Sequence, residues 1–499
     1  MSDLEKMLSR LSPAKQAILR KRMKGKAVEL DDQQSVQTLV QTPNEQYVPY
    51  QPRAFQQAQL AAATEHGFCA WFYMETHRVG LDVSLFTQTI QVLVNHHAIL
   101  QSRFVGDESE ICLKQDKITD WQAQVIDLRT VSAHDASAQL AALREAFRRP
   151  RTIKESESFK ITVCQLPNEE LRIFLGADLT LLDLVSVEFL ALQWRQLYEG
   201  RKVLTDFGAL TFRDYSHTER VFQESSRQWS TSKDYWLSKL DELPRILTVD
   251  DIAENSQKLD IFDDQRFDYR VDLLPKSLWT KLKRYASEQK LTGSMVVYSL
   301  FTLVLSELSK IRRFSLEMRL FNRISFDTKV NDILGQYSSG ILSSVDLSRQ
   351  QNLQAYCRAI ESQTWTDLDN GFYDVVSEQA LSGKQKKPGI VFTSTISRYN
   401  EFVEEGSIPP MKWFGAMQDG VAHVPNQALE LLIVENDGML ELHWFCDYSR
   451  SGNALTSIMQ QTEQLILRVA QDPAFAFDTP LNDLQRILRE SNQLMESAI

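Results

Sequence analysis

The chain has 499 residues, 43% of them hydrophobic and 24% charged, with a formal net charge of −11. That length suits two lobes or domains with their own cores, and the composition is that of an ordinary soluble globular protein. The acidic balance argues against a general nucleic-acid or anionic-membrane surface, because phosphate binding needs a basic footprint. Five scattered cysteines, Cys69, Cys112, Cys164, Cys357 and Cys446, form no Cys-x-x-Cys. They read as small core residues in a reducing cytosol, with no disulfide framework and no zinc or other metal site. No signal peptide and no apolar run near about 18 residues is present, so the expected location is cytoplasmic, without a membrane span.

Residues 1–45 read as an appendage. Leu4, Leu8 and Leu11 share a helical face, and Ser12-Pro13 opens a second helix carrying Lys15, Arg20, Lys21, Arg22, Lys24 and Lys26. A polar linker follows. This segment is either a solvated helix pair or a docking element for a neighbouring protein. Residues 46–220 form a first α/β lobe. A strand over 68–76 is followed by a helix whose apolar face is Val83, Phe86, Ile90, Leu93 and Val94. A helix over 136–149 and strands over 161–166 and 171–175 come next. Residues 221–499 form a second lobe. It has helices over 277–289, 294–308 and 453–471, strands over 313–320, 389–396 and 440–446, and a last connector helix over 481–495.

Between the strand ending near Leu175 and the helix from Val187 stands Asp178-Leu179-Thr180-Leu181-Leu182-Asp183-Leu184-Val185-Ser186. Two carboxylates in an apolar run are costly to bury unless partnered. Asp183 or Ser186 can cap the helix while Asp178 takes a neighbouring arginine; alternatively the pair belongs to a functional site.

This D-x-x-x-x-D-x-x-S spacing resembles the heterocyclization domains of nonribosomal peptide synthetases, where it replaces the H-H-x-x-x-D-G of amide-forming condensation domains. Asp178 and Leu179 then stand at the two histidines, and Asp183 and Leu184 at the Asp and Gly. Leucine in place of the second histidine puts the chain on the cyclizing side. His96-His97 is a decoy, at a helix end with no Asp-Gly after it. Further blocks follow in the family's order: Leu320-Phe321-Asn322-Arg323, Ile333-Leu334-Gly335-Gln336 (Gln where Asp is usual), and Val391-Phe392-Thr393-Ser394. Last comes His423-Val424-Pro425-Asn426-Gln427-Ala428-Leu429-Glu430, a poor match to the family's QTPQVxLD.

The resemblance implies an α/β fold of two chloramphenicol-acetyltransferase-like lobes, a V-shaped pseudo-dimer around a central tunnel. It implies condensation of a carrier-bound acyl or peptidyl thioester with carrier-bound Cys, Ser or Thr, then cyclodehydration to a thiazoline or oxazoline. Upstream and downstream carrier domains would present substrates on 4′-phosphopantetheine arms, next to adjacent synthetase modules, with no bound cofactor. Thr393 and the acid at Glu430 would be the proton-shuttling pair. Asp178 and Asp183 would shape the channel, at least one held by an arginine such as Arg323. Ser186, Asn322, Arg323 and Ser394 would support it. Read without the resemblance, Thr393 is a β-branched strand residue and Glu430 a solvent-facing one. The altered block at Glu430 leans toward a domain that condenses well and leaves ring closure to a second cyclization domain. The rivals are a plain condensation or acyltransferase domain and a non-catalytic member of a tandem pair.

Overall fold

Period-two and near-period-four apolar patterns sort the chain into alternating strands and helices. The computed structural model describes residues 39, 42–107, 110–116, 121–201, 210–253, 267–383, 389–396, 409–450 and 452–496. The two expected N-terminal helices lie outside the described residues.

The first half holds α1 (Ala54–His66), β1 (Trp71–Val79), α2 (Val83–His96), β2 (Ser102–Asp107), β3 (Glu110–Gln115), β4 (Gln124–Asp127), α3 (Ala133–Arg148), β5 (Phe159–Gln165), β6 (Glu170–Asp178) and α4 (Leu184–Tyr198). Its helices follow their caps and stripes. The Asp82 carboxylate accepts the Leu85 N–H at 3.0 Å to start α2, whose buried residues are Phe86, Thr89, Ile90, Leu93 and Val94. Trp194 of α4 stacks on Phe86 at 4.3 Å between ring centroids, locking the two helices together.

The second half holds α5 (Phe212–Ser225), α6 (Arg227–Leu240), β7 (Phe267–Leu274), α7 (Lys276–Glu288), α8 (Gly293–Ser309), β8 (Arg313–Phe321), β9 (Ser338–Asp346), α9 (Leu353–Asp369), α10 (Val375–Leu381), β10 (Ile390–Ser394), β11 (Ala416–His423), β12 (Leu429–Asn436), β13 (Met439–Asp447), α11 (Gly452–Gln471) and α12 (Leu481–Glu496). Helix α8 is buried nearly all round, and its apolar residues lie inside the larger core.

Two sheets organise the lobes, in the orders β11-β1-β6-β5-β4 and β7-β13-β12-β10-β8-β9. Strand β11 comes from the second half yet pairs antiparallel with β1, Trp71 opposite His423. Just before it, Trp413 and Phe414 bury themselves against Trp194 and Phe86. Ile324, Phe326, Val330, Ile333, Leu334 and Tyr337 also join the first lobe's core. Sequence position 220 therefore does not separate the two cores, because two later segments return across it. No single helix among the described residues is long and apolar enough to cross a membrane.

Candidate active site

The Asp-rich turn is built by the end of β6. Asp178 is its last residue, opposite Trp71 in the register and almost fully buried. One carboxylate oxygen accepts the Thr180 N–H at 2.7 Å and the other accepts the Ser156 hydroxyl. Burial pushes this carboxyl up to about 6, against the lowering pull of those hydrogen bonds. The Asp178 carbonyl accepts the N–H groups of Leu181 and Leu182 at 3.1 and 2.9 Å, which closes the turn and delivers Asp183 to the start of α4.

Asp183 caps that helix by accepting the Ser186 N–H at 2.7 Å. Its second oxygen reaches a different part of the chain, accepting the Tyr337 N–H at 3.2 Å. Ser186 repeats the pattern: its hydroxyl donates to the Gly335 carbonyl at 2.8 Å and accepts the Gly335 N–H at 3.1 Å. The Asp183 N–H also donates to the Gly335 carbonyl, at 3.1 Å. A side chain at Gly335 would put its Cβ 2.0 Å from the Phe212 ring, so glycine lets this loop pack against the start of α5. Gln336 donates its side-chain amide to the Leu179 carbonyl, and its main-chain carbonyl accepts from Arg53 at 2.5 Å. A carboxylate at position 336 has no N–H to give, so the departure from Asp has a use here.

Among the described residues neither aspartate has an arginine as a hydrogen-bond partner, contrary to expectation; Arg151 lies near enough to Asp178 only to interact with it electrostatically. Arg323 donates instead to the Ser186 hydroxyl at 3.2 Å and to the Val330 and Asn331 carbonyls at 3.2 and 2.8 Å, and it stacks over the Tyr337 ring at 3.9 Å. It supports the motif through serine, because its short loop folds back onto its own guanidinium. Asn322 donates to the Gly371 carbonyl at 2.8 Å. Arg53 forms a buried two-pronged pair with Glu219, at 2.5 and 2.6 Å.

The second element is a face of the second sheet. Parallel pairing sets Val391 of β10 beside Glu317 of β8 and Glu430 of β12, and Thr393 beside Arg319 and Leu432. Alternation then places Glu317, Arg319, Thr393 and Glu430 on one face, while Met318, Phe392 and Leu431 enter the large core on the other. The Thr393 hydroxyl donates to Glu430 Oε1. Glu430 Oε2 accepts from Arg319 Nη1 at 3.1 Å and from the Gln427 amide at 3.0 Å. Arg319 Nη2 also reaches Gln427 Oε1 at 3.0 Å and Glu317 Oε1 at 3.2 Å. Burial disfavours the Arg319 cation, but the carboxylates of Glu430 and Glu317 outweigh it and leave the group more basic than free arginine. Glu430 is 9% exposed, so the solvent-facing reading of this residue fails: the strand is covered on both sides. Ser394 points the opposite way, its hydroxyl 2.9 Å from that of Ser294.

The two elements meet. Leu432 and Val434 of β12 pack with Phe445 and with Leu184, the residue after Asp183. Burial raises all five cysteine thiols, Cys164 and Cys357 to about 12, so none is poised as a thiolate. Among the described residues no cluster of His, Cys, Asp or Glu could hold a metal.

The family model "Condensation domain" matches residues 45–494. The chain belongs to this family. Condensation domains of this kind are acyltransferase-type enzymes of nonribosomal peptide synthetases, and the domain is similar to parts of such proteins. It is 23% identical over 456 residues to phenyloxazoline synthase MbtB of Mycobacterium tuberculosis, covering 88% of this chain and 31% of that protein. It is 25% identical over 274 residues to pyochelin synthetase PchF of Pseudomonas aeruginosa, covering 54% and 14%. Bacitracin synthase 1 of Bacillus licheniformis is 24% identical over 381 residues, covering 73% and 7%. The domain thus spans less than a third of each of these relatives. The EpoB NRPS cyclization-docking bidomain from Sorangium cellulosum superposes with a TM-score of 0.75 at 22% identity, covering 96% of this chain and 94% of that one. The nonribosomal peptide synthetase FmoA3 superposes at 0.74 and 21% identity, covering 90% and 46%. These likenesses show the two-lobed mixed α/β fold that the motifs led us to expect.

Arg319, Glu317, Arg53 and Glu219 escaped the sequence reading. A signal for the first two was present. Ser315, Glu317 and Arg319 alternate with Phe314, Leu316, Met318 and Leu320, which is a strand with one polar face turned toward something other than the core.

Proposed function

We propose that this domain performs heterocyclization. It joins an acyl or peptidyl thioester to the amine of carrier-bound cysteine, serine or threonine, releasing the donor thiol. The side-chain thiol or hydroxyl then adds to the new amide carbonyl, its proton passing to the carbonyl oxygen. That C–O bond breaks, the nitrogen loses its proton, and one water leaves as the C=N bond of a thiazoline or oxazoline forms. Both substrates arrive on 4′-phosphopantetheine arms of carrier domains flanking this one in a synthetase.

The observation that carries the reading is the Thr393 hydroxyl hydrogen-bonded to the Glu430 carboxylate on a buried face beside the Asp-rich turn. A hydroxyl and a carboxylate in contact can take the nitrogen proton and return one to the departing oxygen. The intact D-x-x-x-x-D-x-x-S and a relative named for a phenyloxazoline support the same reading. The altered block at 423–430 favours a second reading, a condensing member of a tandem pair that leaves ring closure to a partner domain. The side-chain contact weighs against it, since the longer glutamate reaches the threonine.

The test supplies the domain with both loaded carriers and reads the intact mass of the product thioester. A product lighter than the amide by one water supports cyclization; amide alone refutes it. Glu430→Gln should lose ring formation, and ring formed at the wild-type rate by that variant would remove Glu430 from the chemistry.

A further inference from the structure

Beside the Thr393–Glu430 pair lies a second charged pair that the reaction does not call for. Glu317 and Arg319 are adjacent on the same face of β8, and both carboxylates, Glu317 and Glu430, converge on one guanidinium. Glu317 is fully buried and accepts from Arg319 Nε at 3.3 Å and Nη2 at 3.2 Å. Gln427 receives Nη2 from another side, and the Phe55 ring of α1 lies 5.8 Å from the guanidinium carbon. The planar fork is therefore pinned by Glu317, Gln427 and Phe55 before it meets Glu430.

A glutamate has one more rotatable bond than an aspartate, and its carboxylate can sit in several staggered arrangements. Here the choice is removed. Arg319 and Gln427 both hold Oε2, which leaves Oε1 for Thr393. Thr393 and Arg319 are also direct register partners across β10 and β8, so the donor and the clamp are set by one pair of strands.

We propose that Arg319 is a positioning residue for ring closure, acting through Glu430, and that the Glu317–Arg319 pair makes a glutamate usable at position 430. This rests on the cyclization reading. Loss of the fork lets the carboxylate swing away from Thr393. A displacement of about 1 Å at a proton-transferring group costs roughly a hundredfold in rate. Amide formation asks less of this carboxylate, so the ratio of ring to amide is the quantity that should move.

Two variants test it. Arg319→Lys keeps the charge and loses the fork. The double variant Glu317→Gln/Arg319→Gln removes a buried cation and a buried anion together, so that no lone charge is created on β8. Each is measured as the ring-to-amide ratio on the carrier-bound product, alone and combined with Glu430→Gln. The expected result is a ratio lowered about tenfold or more in both variants, and a combined variant whose ratio equals that of Glu430→Gln alone, because the clamp works only through that residue. A merely structural role would lower ring and amide together and leave the ratio unchanged, which would overturn the proposal. A combined variant whose ratio falls below that of Glu430→Gln alone, by the product of the two separate effects, would overturn it too. If the wild-type domain makes amide and no ring, the cyclization reading falls and takes this inference with it. Ring from the wild type with a wild-type ratio in both variants overturns this inference alone.

Discussion

Asp183→Ala tests whether the Asp-rich turn works as chemistry or as a joint. The side chain makes two hydrogen bonds, to the Ser186 N–H at 2.7 Å and to the Tyr337 N–H at 3.2 Å. Losing a helix cap costs roughly 1 kcal/mol. Leaving the Tyr337 N–H without its acceptor in a buried site costs roughly 1–3 kcal/mol more. The sum, about 2–4 kcal/mol, should lower the urea midpoint by about 1 M, given slopes of roughly 1–3 kcal/mol per molar or steeper for a chain this long. Tryptophan fluorescence is a suitable probe, since Trp194 and Trp413 sit in the core that the joint closes. The companion Asp183→Asn keeps an acceptor for the cap but turns an amide N–H toward the Tyr337 N–H, so it should lose most of the second contribution only. Both variants should form less amide and less ring in equal proportion. If Asp183→Ala unfolds at the wild-type midpoint and makes no product, Asp183 acts on the substrates and the joint argument is wrong.

Thr393→Val keeps the shape of the strand residue and removes the hydroxyl; accumulation of uncyclized amide is expected, and equal loss of amide and ring by mass spectrometry would assign Thr393 to packing or an earlier step. Asp178 titrates near 6 when folded, against roughly 3.9 unfolded. Its folded value is raised, so its contribution is full below about 4 and is lost as the pH rises through about 6. Asp178→Asn can accept from Thr180 and donate to Ser156; it should flatten that decline and raise the unfolding midpoint at pH 8, and an unchanged pH profile would count against it. Gln336→Asp removes the donor to the Leu179 carbonyl and should destabilise by roughly 1–3 kcal/mol, read as the urea midpoint.

The elements were legible where periodicity was strong. Val83 to Val94, Gly293 to Ser309 and Arg313 to Phe321 form the helices and strand their patterns announce. The Asp-x-x-x-x-Asp-x-x-Ser run lies between a strand and a helix, and Thr393 lies on a strand, as their local patterns read. Partners were not legible. Asp178 satisfies its carboxylate with Ser156 and a backbone N–H, and no spacing rule distinguishes that from an arginine. Arg323 was named for an aspartate and serves Ser186 instead, because a guanidinium can reach several acceptors around one loop. Strand β11 gave no alternation to read: Ala416-Met417-Gln418-Asp419 is largely exposed and only its second half is buried. What it pairs with depends on topology, which one chain's local pattern does not contain.

That strand has a consequence for how the protein is made. β1 needs β11 on one side and β6 on the other, but β11 is translated only after residue 415. At roughly 5–20 residues per second the wait is on the order of tens of seconds. Throughout it the nascent first lobe carries an unpaired strand edge along Trp71 to His77, together with the uncovered rings of Phe86 and Trp194 that Trp413 and Phe414 later cover. A first lobe expressed by itself would keep that edge permanently, and a ribosome-bound one would need it shielded until the second lobe's strand arrives.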